Sequence, residues 1–286
     1  MRTGSQVARG AVSTPPARAG ALRATGAGRV PLVLLVPASA AVAFLLLPLL
    51  ALLVRVPWPR LAELLGAPQV REALTVSLLT STAATGLCLV LGVPLAWLLA
   101  RTRLPGRRLL RALVTVPLVL PPVVGGVALL LLLGRNGLLG RYLDAWFGIS
   151  LPFTTTAVVL AQTFVALPFL VVAVEGALRS ADHRLEEAAA TLGASRGYLF
   201  RRVTLPLVAP GVGAGAVLCF ARALGEFGAT ITFAGSFPGV TRTMPIAVYL
   251  ALETDPDAAV VLSLVLLVVS LAVLVGLRER WLGVLR

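Results

Sequence analysis

The sequence predicts an all-α, polytopic membrane protein with six transmembrane helices. Hydrophobic residues fill 58% of its 286 positions and charged residues only 13%, which is too apolar for a soluble domain of this size. A segment in lipid must satisfy its own backbone hydrogen bonds, so a helix is expected wherever an apolar run can cross about 30 Å of hydrocarbon. Six runs are long enough: Val30–Val54, Ala73–Ala100, Ala112–Leu133, Thr154–Val174, Leu207–Phe233 and Ala258–Leu277.

These runs divide the chain into a short series of domains. Residues 1–29 are rich in arginine and hold little to bury, so we expect a disordered cytosolic tail. Residues 30–54 would form an extra first transmembrane helix ahead of the main transmembrane domain, residues 73–277. That domain contains a polar loop at 175–206, and residues 278–286 would form a second cytosolic tail.

The arginines predict the orientation of these helices. The segments that would lie on one side of the membrane hold 18 arginines and 5 carboxylates, whereas those on the other side hold equal numbers. The whole net charge of +13 therefore falls on one side, which the positive-inside rule assigns to the cytosol together with both termini. A cleaved signal peptide is the alternative for the N-terminus, but the apolar run continues well beyond the cleavage-like Ala38-Ser39-Ala40.

The composition excludes several classes of function. All 25 basic residues are arginine, and a phosphate-binding loop for ATP requires a lysine, so no such ATP site is present. Cys88 and Cys219 lie in apolar runs and His183 is the single histidine, so we predict no disulfide framework and no metal site. Arginine beside helix ends serves orientation, and the charge therefore does not indicate a nucleic-acid partner. We assign no catalytic residue.

The fifth run contains charged residues, which are costly inside a membrane. Arg222 and Glu226 are four positions apart and would share one helix face, with Thr230 a further turn along. One interpretation is a salt bridge that sets packing. The other is that this face lines a translocation path or its gate, where the arginine fork would suit a passing anion. The glycines beside them, and Gly211, Gly213 and Gly215 near the inner end of the run, are expected to allow close helix packing.

The third run contains helix-breaking residues near its middle. Pro121 and Pro122 are followed by Gly125 and Gly126, and together they are expected to loosen the helix. This pattern favours a hinge or a discontinuous helix that lines the path. The alternative is a static kink in a packed bundle.

The last outer link is polar and then apolar. Residues Ser236–Tyr249 are expected to form a surface loop or a short re-entrant helix, and Asp255 and Asp257 are expected to be solvated.

A polar island from Glu186 to Pro206 interrupts the apolar runs. Residues Arg184–Leu192 predict a short helix that Gly193 ends, after which Ser195 caps a second helix that stops at Pro206. Such a surface suits a cytosolic partner, and the alternative is an amphipathic hairpin lying on the membrane. The first helix would present an apolar stripe at helical spacing, formed by Leu185, Ala188, Ala189 and Leu192.

The island resembles the signature of ABC importer permeases, which reads E-A-A, three residues, G, nine residues, I/V-x-L-P. The residues that match at full spacing are Glu187, Ala188, Ala189, Gly193, Val203, Leu205 and Pro206. The resemblance implies a type I ABC importer permease-like fold. It also implies that the island, with Glu186 and Glu187, is the coupling helix that inserts into a cleft of the ATPase subunit.

Further segments resemble the molybdate branch of this family, over about Val70 to Trp281. They include Leu118–Val124, the stretch Phe220–Phe233 with its GEFGAT motif, and Pro238–Pro245. Sulfate permeases look similar around Arg222 and Glu226, although a tyrosine is expected where Phe227 stands. The arginine-rich tail and the first span depart from the shorter members of the family.

The resemblance implies a complete transport complex in a bacterial-type cell membrane. Two copies of this permease subunit would pair, two cytosolic ATPase subunits would supply ATP and Mg, and an extracytoplasmic binding protein would deliver molybdate or tungstate. The chain itself would not be an enzyme. The alternatives are a permease for sulfate or another oxyanion, a channel or secondary transporter that needs no ATPase, and an intramembrane enzyme.

Overall fold

The computed structural model describes residues 32–102 and 104–282, and this part of the chain is helical without a strand. The chain divides between Leu49 and Leu50 into two compact units, which are described separately. The helices are α1 (Leu32–Val54), α2 (Leu61–Gly66), α3 (Pro68–Arg101), α4 (Arg107–Val119), α5 (Pro122–Leu133), α6 (Gly140–Phe147), α7 (Thr155–Ser180), α8 (His183–Thr191), α9 (Arg196–Leu199), α10 (Leu205–Leu224), α11 (Gly228–Ala234), α12 (Met244–Thr254) and α13 (Pro256–Leu282), with a 3₁₀ turn at Trp58–Arg60 and a π-helical turn at Phe200–Thr204.

The predicted spans correspond to long apolar helices. Within residues 32–102 and 104–282, five helices have the length and hydropathy to cross a membrane, and the bent pair α4 and α5 supplies a sixth if it forms one span. The all-α prediction is confirmed. The predicted tail at 278–286 begins inside α13, which runs to Leu282, and the predicted tail at 1–29 lies outside the described residues.

The third predicted span is broken at its two consecutive prolines. Proline forces the residue before it out of the helical region, and Leu120 and Pro121 are both extended, with ψ of 130° and 131°. As a result α4 stops at Val119, α5 starts at Pro122, and the two helices are bent by 115°. The predicted run is therefore discontinuous, with two helices in place of one, which agrees with one of the two predicted alternatives.

Gly125 and Gly126 do not loosen α5, contrary to the prediction. Both lie buried inside the continuous helix. A Cβ on Gly126 would stand 1.8 Å from Thr232 Oγ1 and 2.7 Å from the carbonyl oxygen of Ala229. The role of Gly126 is close packing, because α5 and α11 approach each other too closely for a side chain at this point. Gly125 instead faces Phe164 of α7, 2.9 Å from the position of an added Cβ.

The central helix of the second unit is α7, which packs against α3, α4, α5, α10 and α11. One hydrophobic cluster joins α3, α7 and α10 and includes Cys88, Leu170 and Cys219, with both thiols free and buried. A Cβ on Gly211 would lie only 2.2 Å from the Cβ of Ala177. The predicted packing role of this glycine is therefore confirmed.

The fifth predicted span is not one continuous helix, which corrects the sequence-based boundary at Phe233. The helix α10 ends at Leu224 and α11 begins at Gly228. Between them, the backbone N–H of Ala229 donates to Glu226 Oε1 at 2.8 Å. This bond satisfies one of the N–H groups that the first turn of α11 leaves without a helical partner. A local side-chain bond thus supports the separate start of α11.

The last outer link contains both a loop and a helix. The helix α12 follows the loop, and the N–H of Met244 donates to Ser77 Oγ of α3 at 2.7 Å. Asp255 and Asp257 are not simply solvated, since Arg60 lies 3.4 Å and 2.8 Å from their carboxylates. The pKa of Arg60 is raised, mainly by its hydrogen bond to Asp257 and to a smaller extent by the negative charge of Asp255.

Candidate functional site

The loop at 175–206 folds as the predicted helix, glycine turn and helix. Asp182 Oδ1 accepts the N–H of Arg184 at 2.9 Å and caps α8. Gly193 follows α8 with a φ of +82°, a left-handed conformation that a glycine adopts without strain. The Ser195 hydroxyl then accepts the N–H of Tyr198 at 3.3 Å, as predicted for a cap.

The second helix does not stop at Pro206, which corrects the sequence-based expectation. It continues into α10 through the π-helical turn, where the N–H of Leu205 donates to the carbonyl of Phe200, five residues earlier. In a regular α-helix the proline ring would clash with the carbonyl four residues before it. We attribute the continuity to the wider π turn, which changes this spacing just before the proline.

The two neighbouring glutamates of the 175–206 loop differ in burial. The side chain of Glu186 is only 14% exposed, and its Oε1 lies 3.1 Å from Arg101 Nη2 at the end of α3. The same oxygen accepts the hydroxyl of Thr204 at 2.9 Å. Glu187, by contrast, is exposed. Glu186 therefore holds the loop to the rest of the protein, and Glu187 is open to a partner.

The predicted apolar stripe of α8 is also open. Leu185 and Leu192 are 52% and 88% exposed, and Ala188 lies exposed between them. Tyr198 of α9 is 57% exposed. Exposed apolar side chains beside an exposed carboxylate are typical of a protein-docking surface. The remaining predicted residues differ in burial: Ala189 and Leu205 are partly buried, and Gly193 and Pro206 are exposed.

Replacing Glu186 with alanine is expected to loosen the 175–206 loop. The change removes the acceptor of Thr204 and a largely buried ion pair with Arg101. Hydrogen bonds to charged groups contribute about 1.5–3 kcal/mol, so trypsin cleavage after the arginines of this loop should become at least about tenfold faster. Glu187→Ala is the matched control and should be cleaved at the wild-type rate. Equal rates for the two variants would contradict the bracing role.

The second predicted site lies where α10, α11 and α5 meet. Arg222 Nη1 stands 2.6 Å from Glu226 Oε2, and the other carboxylate oxygen of Glu226 holds the N–H of Ala229. The Glu226 side chain is 1% exposed and that of Arg222 is 26% exposed. The salt bridge proposed from the spacing is therefore present, although the two residues lie at a helix end rather than within one continuous helix.

A cavity of about 330 Å³ adjoins this ion pair. Three of the predicted path residues, Pro122, Arg222 and Glu226, come together in its wall. Pro121 precedes α5 and is exposed, and Thr230 is fully buried on α11. Neither belongs to the lining. The full lining consists of Pro122, Val123, Arg222, Gly225, Glu226, Phe227 and Gly228.

Several residues that shape these two sites are not predicted from the sequence. Arg101 and Thr204 hold Glu186, and Val123 and Phe227 line the cavity. Arg101 was interpreted only as an orientation charge. The spacing of Leu120-Pro121-Pro122 was the one signal that could have placed Val123 at a helix start beside the fifth span.

The fold and the 175–206 loop define an integral membrane component of a transport system. The sequence profile of the family described as "Binding-protein-dependent transport system inner membrane component" matches residues 92–283, and the chain belongs to this family. It is therefore a multi-pass inner membrane protein. The predicted membership of the ABC importer permeases is confirmed.

Among curated proteins, the chain is similar to permeases of two kinds. It is 57% identical over 244 residues to the molybdenum transport system permease protein ModB of Mycobacterium tuberculosis, covering 85% of this chain and 92% of that protein. It is 44% identical over 212 residues to ModB of Escherichia coli, covering 74% and 93%. It is 39% identical over 234 residues to the sulfate transport system permease protein CysT of Salmonella typhimurium, covering 80% and 84%.

Solved structures share the fold at low sequence identity. A bacterial ABC transporter for import of the acidic polysaccharide alginate superposes with a TM-score of 0.71 at 17% identity, covering 89% of this chain and 96% of that chain. The inward-facing methionine transporter MetNI superposes with a TM-score of 0.57 at 21% identity, covering 76% and 94%. The predicted permease-like fold is confirmed.

Proposed function

We propose that this chain is the permease subunit of an ATP-driven importer for molybdate or the chemically similar tungstate. The observation that carries the proposal is the 57% identity over 244 residues to a molybdenum permease. The segments with the GEFGAT motif and the double proline, which suggested this branch, include residues of the cavity beside Arg222.

The complex would contain a second copy of this permease and two other kinds of subunit. Two ATPase subunits, which would bind ATP and Mg, would dock on the exposed face of α8 around Glu187. A second copy of the permease would complete the path, and an extracytoplasmic binding protein would deliver the oxyanion. The arginine distribution supports an orientation with both termini in the cytosol. The exposed apolar stripe of α8 supports the docking role.

The ion pair supports a gating role in this scheme. Among the residues that line the cavity, Arg222 is the one cation and Glu226 the one anion. A tetrahedral oxyanion can accept hydrogen bonds from the arginine fork, but it has to compete with a carboxylate already 2.6 Å away. The closed pair would therefore oppose passage, and separation of α10 from α11 would free the arginine. Movement of the 175–206 loop with ATP would drive that separation.

Sulfate is the second candidate substrate, because the sulfate permease CysT is 39% identical over 80% of this chain. Sulfate carries the same charge and the same tetrahedral arrangement of oxygens. The delivering protein selects first in this scheme, so the permease itself needs little selectivity.

Reconstitution tests the function. Vesicles that contain this chain, its partner ATPase and its binding protein should accumulate molybdate only when ATP is supplied on the ATPase side. Calorimetry of the binding protein with molybdate, tungstate and sulfate identifies the delivered anion. Accumulation of molybdate without the ATPase would refute an ATP-driven importer. Tight binding of sulfate alone by the binding protein would make sulfate, and not molybdate, the transported anion.

Glu187→Lys is expected to abolish stable association with the ATPase. The side chain is exposed, so the fold should be retained, while the reversed charge would meet whatever cationic or donor groups bind the carboxylate. Losing a paired charge at an interface costs about 2–5 kcal/mol, which predicts at least about thirtyfold weaker association in a pull-down titration.

The matched control is Glu253→Lys, which makes the same change at an exposed carboxylate at the end of α12. It should leave association unchanged. Wild-type association by Glu187→Lys would show that α8 is not the docking surface.

A further inference from the structure

A pocket lined by arginines lies at the start of α4 and shares no residue with the cavity at Arg222. Its volume is about 670 Å³. Half of its lining residues are cations, and none is an acid, so its chemistry selects an anion. The lining consists of Leu104, Pro105, Gly106, Arg107, Arg108 and Arg111.

The three arginines differ in how far their charge is balanced. Arg111 donates from Nη2 to Glu175 Oε1 at 2.5 Å and is therefore paired. Arg107 reaches only the backbone carbonyl of Thr102, at 3.5 Å. Arg108 is exposed and makes no ion pair within the described residues. The Nε–H of Arg107 is buried and donates to no acceptor in the same part of the chain. Two positive charges thus face the pocket without a carboxylate.

The same helix carries an exposed apolar face. Its members are spaced by four, three and three residues, which places them along one side of α4. On the other side, Leu110 and Val114 pack against the hydrophobic cluster of α3, α7 and α10. One face is thus covered by protein while the other is open. The exposed members are Leu109 (65%), Leu113 (58%), Val116 (46%) and Val119 (87%).

We propose that this pocket binds the phosphate of an anionic phospholipid, whose acyl chains lie along the exposed apolar face of α4. A basic end joined to an apolar face is the pattern of a helix that lies at the membrane surface, and basic pockets beside transmembrane helices recognise acidic headgroups. A soluble anion would use the arginines but not the apolar stripe. A second copy that met this patch symmetrically would set arginine against arginine. The proposal goes beyond transport and does not depend on which oxyanion is carried.

Retention of lipid by the purified protein tests the proposal. The full chain would be reconstituted in nanodiscs of phosphatidylcholine with a minor fraction of phosphatidylglycerol and then extracted into mild detergent. Native mass spectrometry would identify the lipids that stay bound from the mass they add to the protein. Wild type should retain phosphatidylglycerol in preference to phosphatidylcholine. The Arg107→Gln/Arg108→Gln variant should lose this preference by about thirtyfold, since each arginine near a lipid headgroup contributes about 1 kcal/mol. Arg107→Lys/Arg108→Lys should restore part of it.

The control variant is Arg18→Gln/Arg23→Gln, which removes two positive charges from the arginine-rich N-terminal segment. It should retain phosphatidylglycerol as the wild type does. Inorganic phosphate added at millimolar concentration should not displace the lipid. Equal retention by wild type and the pocket variant would overturn the proposal. So would displacement by phosphate, which would define a site for a free anion, and so would a loss of retention in the control variant.

Discussion

Replacing Glu226 with alanine is expected to destabilise the protein by about 3–5 kcal/mol, the usual cost of removing one partner from a buried ion pair. The Glu226 side chain is 1% exposed and that of Arg222 is 26% exposed, so the carboxylate end of the ion pair is buried. The change leaves Arg222 without its carboxylate and the N–H of Ala229 without its acceptor. The thermal unfolding midpoint in detergent should fall by several degrees, and ATP-driven oxyanion uptake should fall at least about tenfold.

Two further variants separate the charge from the hydrogen bond. Glu226→Gln keeps an oxygen that can accept the N–H of Ala229, so it should lose less stability than Glu226→Ala. Adding Arg222→Gln to Glu226→Gln removes the unpaired cation and should recover stability relative to Glu226→Gln alone. Glu253→Ala, at an exposed carboxylate, is the control and should unfold like wild type. An unchanged midpoint in Glu226→Ala would show that the pair does not support the helix junction.

Gly126→Ala is expected to separate α5 from α11. The added Cβ would lie 1.8 Å from Thr232 Oγ1 and 2.7 Å from a backbone carbonyl, so the helices have to move. Overpacking of this kind costs about 1–3 kcal/mol and outweighs the gain of about 1 kcal/mol from replacing glycine in a helix. The unfolding midpoint should fall, and transport should fall with it because the cavity wall contains residues of both helix starts.

Gly86→Ala is the matched control for this experiment. It makes the same substitution within α3, but no heavy atom of the described residues outside the adjoining turns of α3 lies within 4 Å of the added Cβ. Its midpoint should stay level or rise. Adding Thr232→Ala to Gly126→Ala removes the nearest atom but leaves the carbonyl in place, so it should restore only part of the lost stability. A wild-type midpoint in Gly126→Ala would mean that the two helices are not in firm contact.

The long helices and the 175–206 loop could be predicted because their signals are local. An apolar run predicts a helix wherever the backbone must satisfy itself in lipid. The turn at Gly193 and the cap at Ser195 depend on residues within four positions of each other. The two consecutive prolines likewise restrict the backbone next to them, so the break between α4 and α5 was within reach of the sequence.

The remaining features depend on contacts between segments that are distant in sequence. The spacing of apolar and polar residues along the chain does not predict such contacts. Glu186 and Glu187 are adjacent in sequence and both are predicted to lie on the coupling helix, and only the position of Arg101, 85 residues before Glu186, makes Glu186 the brace. The sequence predicts that Gly126 loosens the helix, but the approach of α11 makes it a contact point. The start of α11 could not be predicted from the four-residue spacing of Arg222 and Glu226, which also fits an unbroken helix.

The single oxygen of Glu186 that meets both Arg101 and Thr204 has a mechanical consequence. Arg101 is the last residue of α3, and Thr204 lies one residue before α10. A force on α8 would therefore act at the same time on the end of α3 and on the start of α10. Neither helix could slide along the other without breaking the interaction of Glu186 with Arg101 or with Thr204. In the proposed transport cycle, the loop would therefore move α3 and α10 together, and the displacement would reach Arg222 in the last turn of α10.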